Sequence, residues 1–230
     1  MTTHAVGGEL VETPVEIRSA SACSALFAVS APAATTLLAG AGLAPVRPWP
    51  GRALCSLAFV RYIDGDLGPY HEFAVALLAR APGHARAGAY IHRLPVNGEF
   101  TLAAGRGIWG FPKELTTIDL RLSGGTRRCV LRRPDGRFVL GMTVRPGLPV
   151  PSAAGGTDVD AYSLHEGVLR RTPWEMRPGR VRAGLGGARV VLGDDPIADE
   201  LRTLGLPRRA LTTTTIGALG MTFGDAEELS

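Results

Sequence analysis

Apolar and polar residues alternate with a period of two along much of the chain, the pattern of half-buried β-strands. The clearest run is Tyr70-His71-Glu72-Phe73-Ala74-Val75-Ala76-Leu77-Leu78. In a strand, His71, Phe73, Val75 and Leu77 share an apolar packing face. Tyr70, Glu72, Ala74 and Ala76 share the other, where small residues beside a phenol and a carboxylate read as a cavity wall. Similar patterning predicts strands at 23–29, 53–63, 89–94, 126–133, 137–145, 161–171, 188–192 and 212–223. Turns are expected at 65–69, 134–136 and 146–147, with a small-residue linker at 152–156. Three segments carry helical signals instead. Residues 31–39 follow Ser30 as cap, with Pro32 at the start. A second helix is expected from Asn97 as cap to about Trp109, with Phe100, Ala103, Ala104 and Ile108 as its stripe and Gly110 and Pro112 ending it. The third is 195–204, capped by Asp195, opened by Pro196 and closed by Gly205. Residues 40–51 read as a loop and 1–12 as a loose tail. Many strands with two or three short helices give a mainly β member of the α+β class, an antiparallel barrel or strongly curved sheet. A length of 230 residues suits one domain spanning 1–230.

Composition adds limits. Apolar content of 45% and charge of 20% are those of a globular protein. No apolar run reaches membrane-spanning length, and residues 1–16 carry Glu9, Glu12 and Glu16 without a signal-peptide core. Cys23, Cys55 and Cys129 are odd in number and far apart, which suits buried apolar residues in a reducing, cytoplasmic compartment. The formal net charge is +4, but the arginines are scattered and no nucleic-acid-binding motif accompanies them. Neither a nucleic acid nor a membrane is expected as partner. An arginine excess suits small anionic substrates.

One residue changes the picture. Lys113 is the only lysine among 25 basic residues. It follows Trp109-Gly110-Phe111-Pro112, an aromatic run able to take an ammonium partly out of water, and desolvation lowers a lysine pKa. A free lysine is neutral in only about 1 molecule in 2,000 at neutral pH. A pKa near 7 would raise the nucleophilic fraction on the order of a thousandfold. Arginine stays protonated and cannot serve in this way. The ordinary alternative is a solvated lysine left over in an arginine-biased chain, and for Glu72 a solvent-facing carboxylate on an edge strand. His92 reads equally as a cavity residue or a hydrogen-bonded structural one. A strand over 113–121 would point Lys113 and Glu114 to opposite faces; were they to face one another, Glu114 would hold the lysine protonated.

Two signatures, Tyr70-His71-Glu72 and Gly105-Arg106-Gly107-Ile108-Trp109-Gly110-Phe111-Pro112-Lys113, with the spacing between them, resemble the acetoacetate decarboxylase family. The similarity is good over 52–120 and only architectural beyond 125. It implies a cone-like β-barrel, a homo-oligomer, and a Schiff-base lysine at Lys113 that needs no metal or organic cofactor. Three departures accompany it. Glu114 stands where the decarboxylase has a second lysine. Gly107 replaces a family glutamate. No arginine clearly matches the family's N-terminal one, although Arg18 lies close by.

The resemblance implies a lyase-type enzyme acting on a small oxo acid, by decarboxylation or by the aldol condensation and dehydration of divergent relatives, with secondary metabolism as the expected setting. In that reading Lys113 is the nucleophile and Glu72 moves a proton. Tyr70, Trp109 and Phe111 shape the pocket, and Arg18 or Arg106 holds a carboxylate. A barrel that binds an apolar or oxo-acid ligand without covalent chemistry is the competing expectation.

Overall fold

The computed structural model describes residues 1–84, 86–151 and 157–229. The linker expected at 152–156 lies outside them. The first half of the chain runs β1 (Thr2–Val6), β2 (Glu9–Thr13), β3 (Val15–Ser30), α1 (Ala31–Leu38), β4 (Ala44–Pro45), β5 (Arg52–Gly65), β6 (Tyr70–Arg80), β7 (Gly88–Val96) and α2 (Glu99–Trp109). It continues through β8 (Lys113–Leu115), β9 (Thr117–Arg121), β10 (Arg127–Arg132), β11 (Phe138–Val144), β12 (Leu148–Pro149) and β13 (Thr157–His165). The last elements are β14 (Val168–Leu185), β15 (Ala188–Leu192), α3 (Pro196–Thr203), β16 (Thr212–Phe223) and β17 (Glu227–Leu229).

The main sheet has the order β4-β6-β5-β3-β16-β14-β13-β7-β8, with β12 and β17 added on β14. β6 pairs with β7 as well as with β5, so this strongly curved sheet bends back on itself. Its ladders are antiparallel except at β13–β7 and β7–β8, which are parallel. Register shifts in β3 against β5 lie near Ile17 to Ala20 and help the long strand to bend. A smaller antiparallel sheet, β15-β11-β10-β9, lies apart from the main ladder.

Alternation along β5 and β6 divides the apolar residues into two cores. Leu57, Phe59, Phe73, Val75 and Leu77 pack with α1, α3 and the smaller sheet. Tyr62, Tyr70 and Ala76 face the other way and pack with Ala104 and Ile108 of α2. The mainly β class, the curved sheet and the three helices match the sequence reading. Ser30 caps α1, Asp195 caps α3 through Ile197 N–H (3.0 Å), and Gly205 follows α3 in the left-handed region. The three cysteines are free and buried.

Several expectations are corrected. Residues 1–12 are no loose tail: Gly7 and Gly8 both have positive φ and form the two-residue turn of the β1–β2 hairpin. The strand expected at 23–29 is the second half of β3. The strand expected at 161–171 is interrupted by Glu166 and Gly167, both at positive φ, which turn β13 into β14. Most of β14 was not anticipated, because beyond residue 171 Pro173, Pro178 and six Gly, Arg or Glu positions obscure its alternation. Residues 113–121 split at Thr116 into β8 and β9, which belong to different sheets. No helix is long and apolar enough to cross a membrane.

Candidate active site

Lys113 is held by the end of α2. Gly110, in the left-handed region at φ +64°, closes that helix by donating its N–H to the Arg106 carbonyl at 3.1 Å. The chain then reverses through Phe111 and Pro112, and Lys113 begins β8, paired in parallel with Leu94 of β7. Arg106 Nε donates to the Lys113 carbonyl at 2.8 Å and fixes its backbone. The lysine stem passes over Gly105, so close that a β-carbon there would stand 2.5 Å from Lys113 Cδ and Cε. The residue is 3% exposed.

The side chain ends beside Glu72. Lys113 Nζ lies 3.1 Å from Glu72 Oε2 and donates to Thr101 Oγ1 at 2.8 Å. Tyr62 Oη donates to Glu72 Oε1 at 2.9 Å. The hairpin at 65–69 puts Tyr62 opposite Tyr70, and their rings stack with centroids 4.1 Å apart. Lys113 Nζ sits 4.9 Å from the centre of the Tyr70 ring. Burial, and after it the Glu72 charge, pushes both phenols well above their usual pKa, so they are neutral donors at physiological pH. Burial also pulls Lys113 below its ordinary 10.5, against the opposing pull of Glu72. Desolvation wins here because the ammonium is enclosed by rings and aliphatic groups, with Glu72 its only charged partner among the described residues.

Four aromatic side chains close the pocket in a circuit. Trp109 meets Phe111 and Phe223, each at 5.8 Å between centroids, and Trp174 meets Phe111 at 5.9 Å and Phe223 at 5.1 Å. Leu67 and Leu94 complete the wall. Trp109 Nε1 donates to the Gly224 carbonyl at 2.8 Å, whereas Trp174 Nε1 is buried without a partner among the described residues. The space left inside is about 20 Å³, room for about one water molecule.

The structure therefore brings Lys113, Glu72, Tyr70, Trp109 and Phe111 together and leaves both arginines outside. Arg18 is half exposed and chelated by Asp64 and Asp66, with contacts of 2.6–2.9 Å. Its strand turns it outward because its neighbour Ile17 points into the core. Arg106 serves backbone rather than pocket. His92 is a structural histidine, 2.9 Å from Glu200. Asn97 does not cap α2; Gly98 occupies that position, and the Asn97 side chain accepts from the His71 N–H at 2.7 Å. The buried face of α2 is Thr101, Ala104, Gly105, Ile108 and Trp109, while Phe100 and Ala103 are half-buried. Tyr62, Thr101, Gly105, Trp174 and Phe223 were missed. The four-residue spacing of Thr101 and Gly105 marks a shared helix face and could have flagged them.

Glu114 points away from Lys113. It meets Arg133, which also holds the fully buried Asp195 through two hydrogen bonds of 2.7 and 2.8 Å. This arginine ties β8 to the cap of α3. Arg133→Ala is expected to cost about 3 kcal/mol, since it strands a buried carboxylate. Chemical denaturation should show that loss, while the reactivity of Lys113 stays unchanged; an equal loss of reactivity would mean that Glu114 acts on the pocket after all.

A family model described as acetoacetate decarboxylase (ADC) matches residues 1–227. Among solved structures, an acetoacetate decarboxylase aligns with a TM-score of 0.68 and 17% identity, over 95% of this chain and 90% of that one. The acetoacetate decarboxylase of Legionella pneumophila aligns at 0.71 and 15%, over 96% and 91%. The enduracididine biosynthesis enzyme MppR, complexed with the condensation product of pyruvate and imidazole 4-carboxaldehyde, aligns at 0.73 and 18%, over 96% and 91%. No curated protein matches.

Proposed function

Because the chain belongs to the acetoacetate decarboxylase family, we propose that it is a lyase-type enzyme that works through a Schiff base on Lys113 with a small carbonyl substrate. The observation that carries this reading is the burial of the sole lysine, 3% exposed, against one carboxylate inside an aromatic enclosure. Such a lysine gives up its proton more readily than a solvated one. Glu72 is placed to take that proton, and Nζ then attacks the carbonyl carbon. Glu72 returns the proton to the departing hydroxyl, which leaves as water, and the protonated imine becomes an electron sink. Tyr62 holds Glu72 in position, and Thr101 holds Nζ. Such an imine can serve a condensation of the kind named for MppR or a decarboxylation.

Borohydride trapping tests the reading. The protein is incubated with a panel of small ketones, aldehydes and oxo acids, reduced, weighed and peptide-mapped. An adduct is expected on Lys113 and is expected to vanish in Lys113→Ala. Trapping should rise with pH as the amine loses its proton, and should level off below the ordinary lysine value of 10.5. A lysine that titrates at or above that value and forms no adduct across the panel would favour a binding protein without covalent chemistry.

A further inference from the structure

We infer that the pocket takes an uncharged carbonyl compound, an apolar ketone or aldehyde, in preference to an oxo acid. The inference rests on the Schiff-base reading and narrows its substrate class. Among the described residues, the only charged groups in the pocket wall are Lys113 and Glu72. They lie 3.1 Å apart and cancel. Among the described residues no arginine reaches the wall. Arg18 is committed to Asp64 and Asp66 outside, and Arg106 to the Lys113 carbonyl.

Covalent chemistry preserves this balance. The protonated lysine and a carbonyl compound give a protonated imine and water. The new C–N bond replaces the C=O bond, and the oxygen leaves with two protons, both drawn from the ammonium by way of Glu72. One positive charge is present before and after, and Glu72 ends as the carboxylate it began as. An uncharged substrate therefore leaves the pocket neutral at every stage. A substrate carboxylate would add a negative charge with no cation of its own, enclosed by rings and beside Glu72. A buried charge without a partner is strongly disfavoured.

The rest of the wall agrees. Phe111, Trp174, Phe223, Leu67 and Leu94 present apolar surface, and the space inside is about 20 Å³, so a substrate must part these side chains to enter. They close again favourably on apolar groups and poorly on a hydrated anion. With no carboxylate to lose, the imine's remaining outlet is loss of an α-proton to Glu72. The C–H electron pair moves into a carbon–carbon double bond and the imine pair moves onto nitrogen. The resulting enamine can attack a second carbonyl carbon, so the pocket favours carbon–carbon bond formation over decarboxylation.

Two shape-matched pairs test this: pyruvate against methyl isopropyl ketone, and levulinate against methyl isoamyl ketone. In each pair an isopropyl group replaces the carboxylate. Borohydride trapping rates are normalised to the rate of each compound with free butylamine. The ketone is expected to be trapped about 30-fold faster or more than its acid. Glu72→Gln, which removes the opposing negative charge, should shift each ratio about tenfold toward the acid. Acids trapped as fast as their ketones by the native protein would overturn the inference and leave the Schiff-base reading standing. No adduct with any of the four compounds, nor with any other carbonyl compound, would remove the Schiff-base reading and this inference with it.

Discussion

Replacing Lys113 with Met is expected to weaken the fold by about 3–5 kcal/mol, besides abolishing adduct formation. Methionine fills most of the same space, so the loss comes from charge and not from a cavity. Glu72 would keep only its bond from Tyr62 Oη, 2.9 Å, in a wall of rings. A carboxylate stranded in this way cannot recover the hydration it gave up on folding. The double variant Lys113→Met/Glu72→Gln should recover about 2 kcal/mol relative to Lys113→Met alone. Urea titrations of the native protein, both single variants and the double variant measure this coupling. Equal midpoints for native protein and Lys113→Met would show that the carboxylate does not depend on the ammonium.

Gly105→Ala is expected to separate reactivity from stability. Gly105 lies in the interior of α2, where alanine is the better helix former by up to about 1 kcal/mol. On helix propensity alone the variant should be as stable as the native protein or more so. Yet its new β-carbon would stand 2.5 Å from Lys113 Cδ and Cε, far inside van der Waals contact. The lysine stem is the most yielding partner and must move. Nζ would then leave its position between Glu72 and Thr101, and a displacement on the order of 1 Å can cost about a hundredfold in rate. Trapping kinetics beside a denaturation curve give the answer. An unchanged trapping rate would mean that the helix moves instead of the lysine.

The same glycine shows why the sequence disclosed some of this site and hid the rest. Lys113 stood out by rarity and by its aromatic approach, and Glu72 by strand alternation, because both are local signals. Tyr62 opposes Tyr70 through the 65–69 turn, so a careful count across that turn would have found it. Trp174 and Phe223 are a cross-strand pair of β14 and β16, separated by a connection that holds β15 and α3. No local pattern carries that register. The arginines misled for a simpler reason: Arg18 lies near the family's N-terminal arginine position and Arg106 within the lysine motif, but nearness in sequence says nothing about which way a side chain leaves its strand or helix. The helices and most strands were legible from caps, glycines and alternation. The β1–β2 hairpin was missed because acidic residues on its exposed face obscured Val6 and Val11 on the buried one.

The solitary lysine has a consequence for the rest of the surface. The other 24 of its 25 lysine and arginine side chains are guanidiniums, which stay charged and are far poorer nucleophiles toward simple carbonyl compounds than an amine. Reactive aldehydes and ketones tend to tan ordinary proteins, browning and cross-linking them through their exposed lysines. Among its side chains this protein offers them one aliphatic amine, and that one is buried. Its surface is thereby poor in sites for reactive carbonyl compounds, so on the proposed function it should tolerate concentrations of them that would slowly glue a lysine-rich neighbour together.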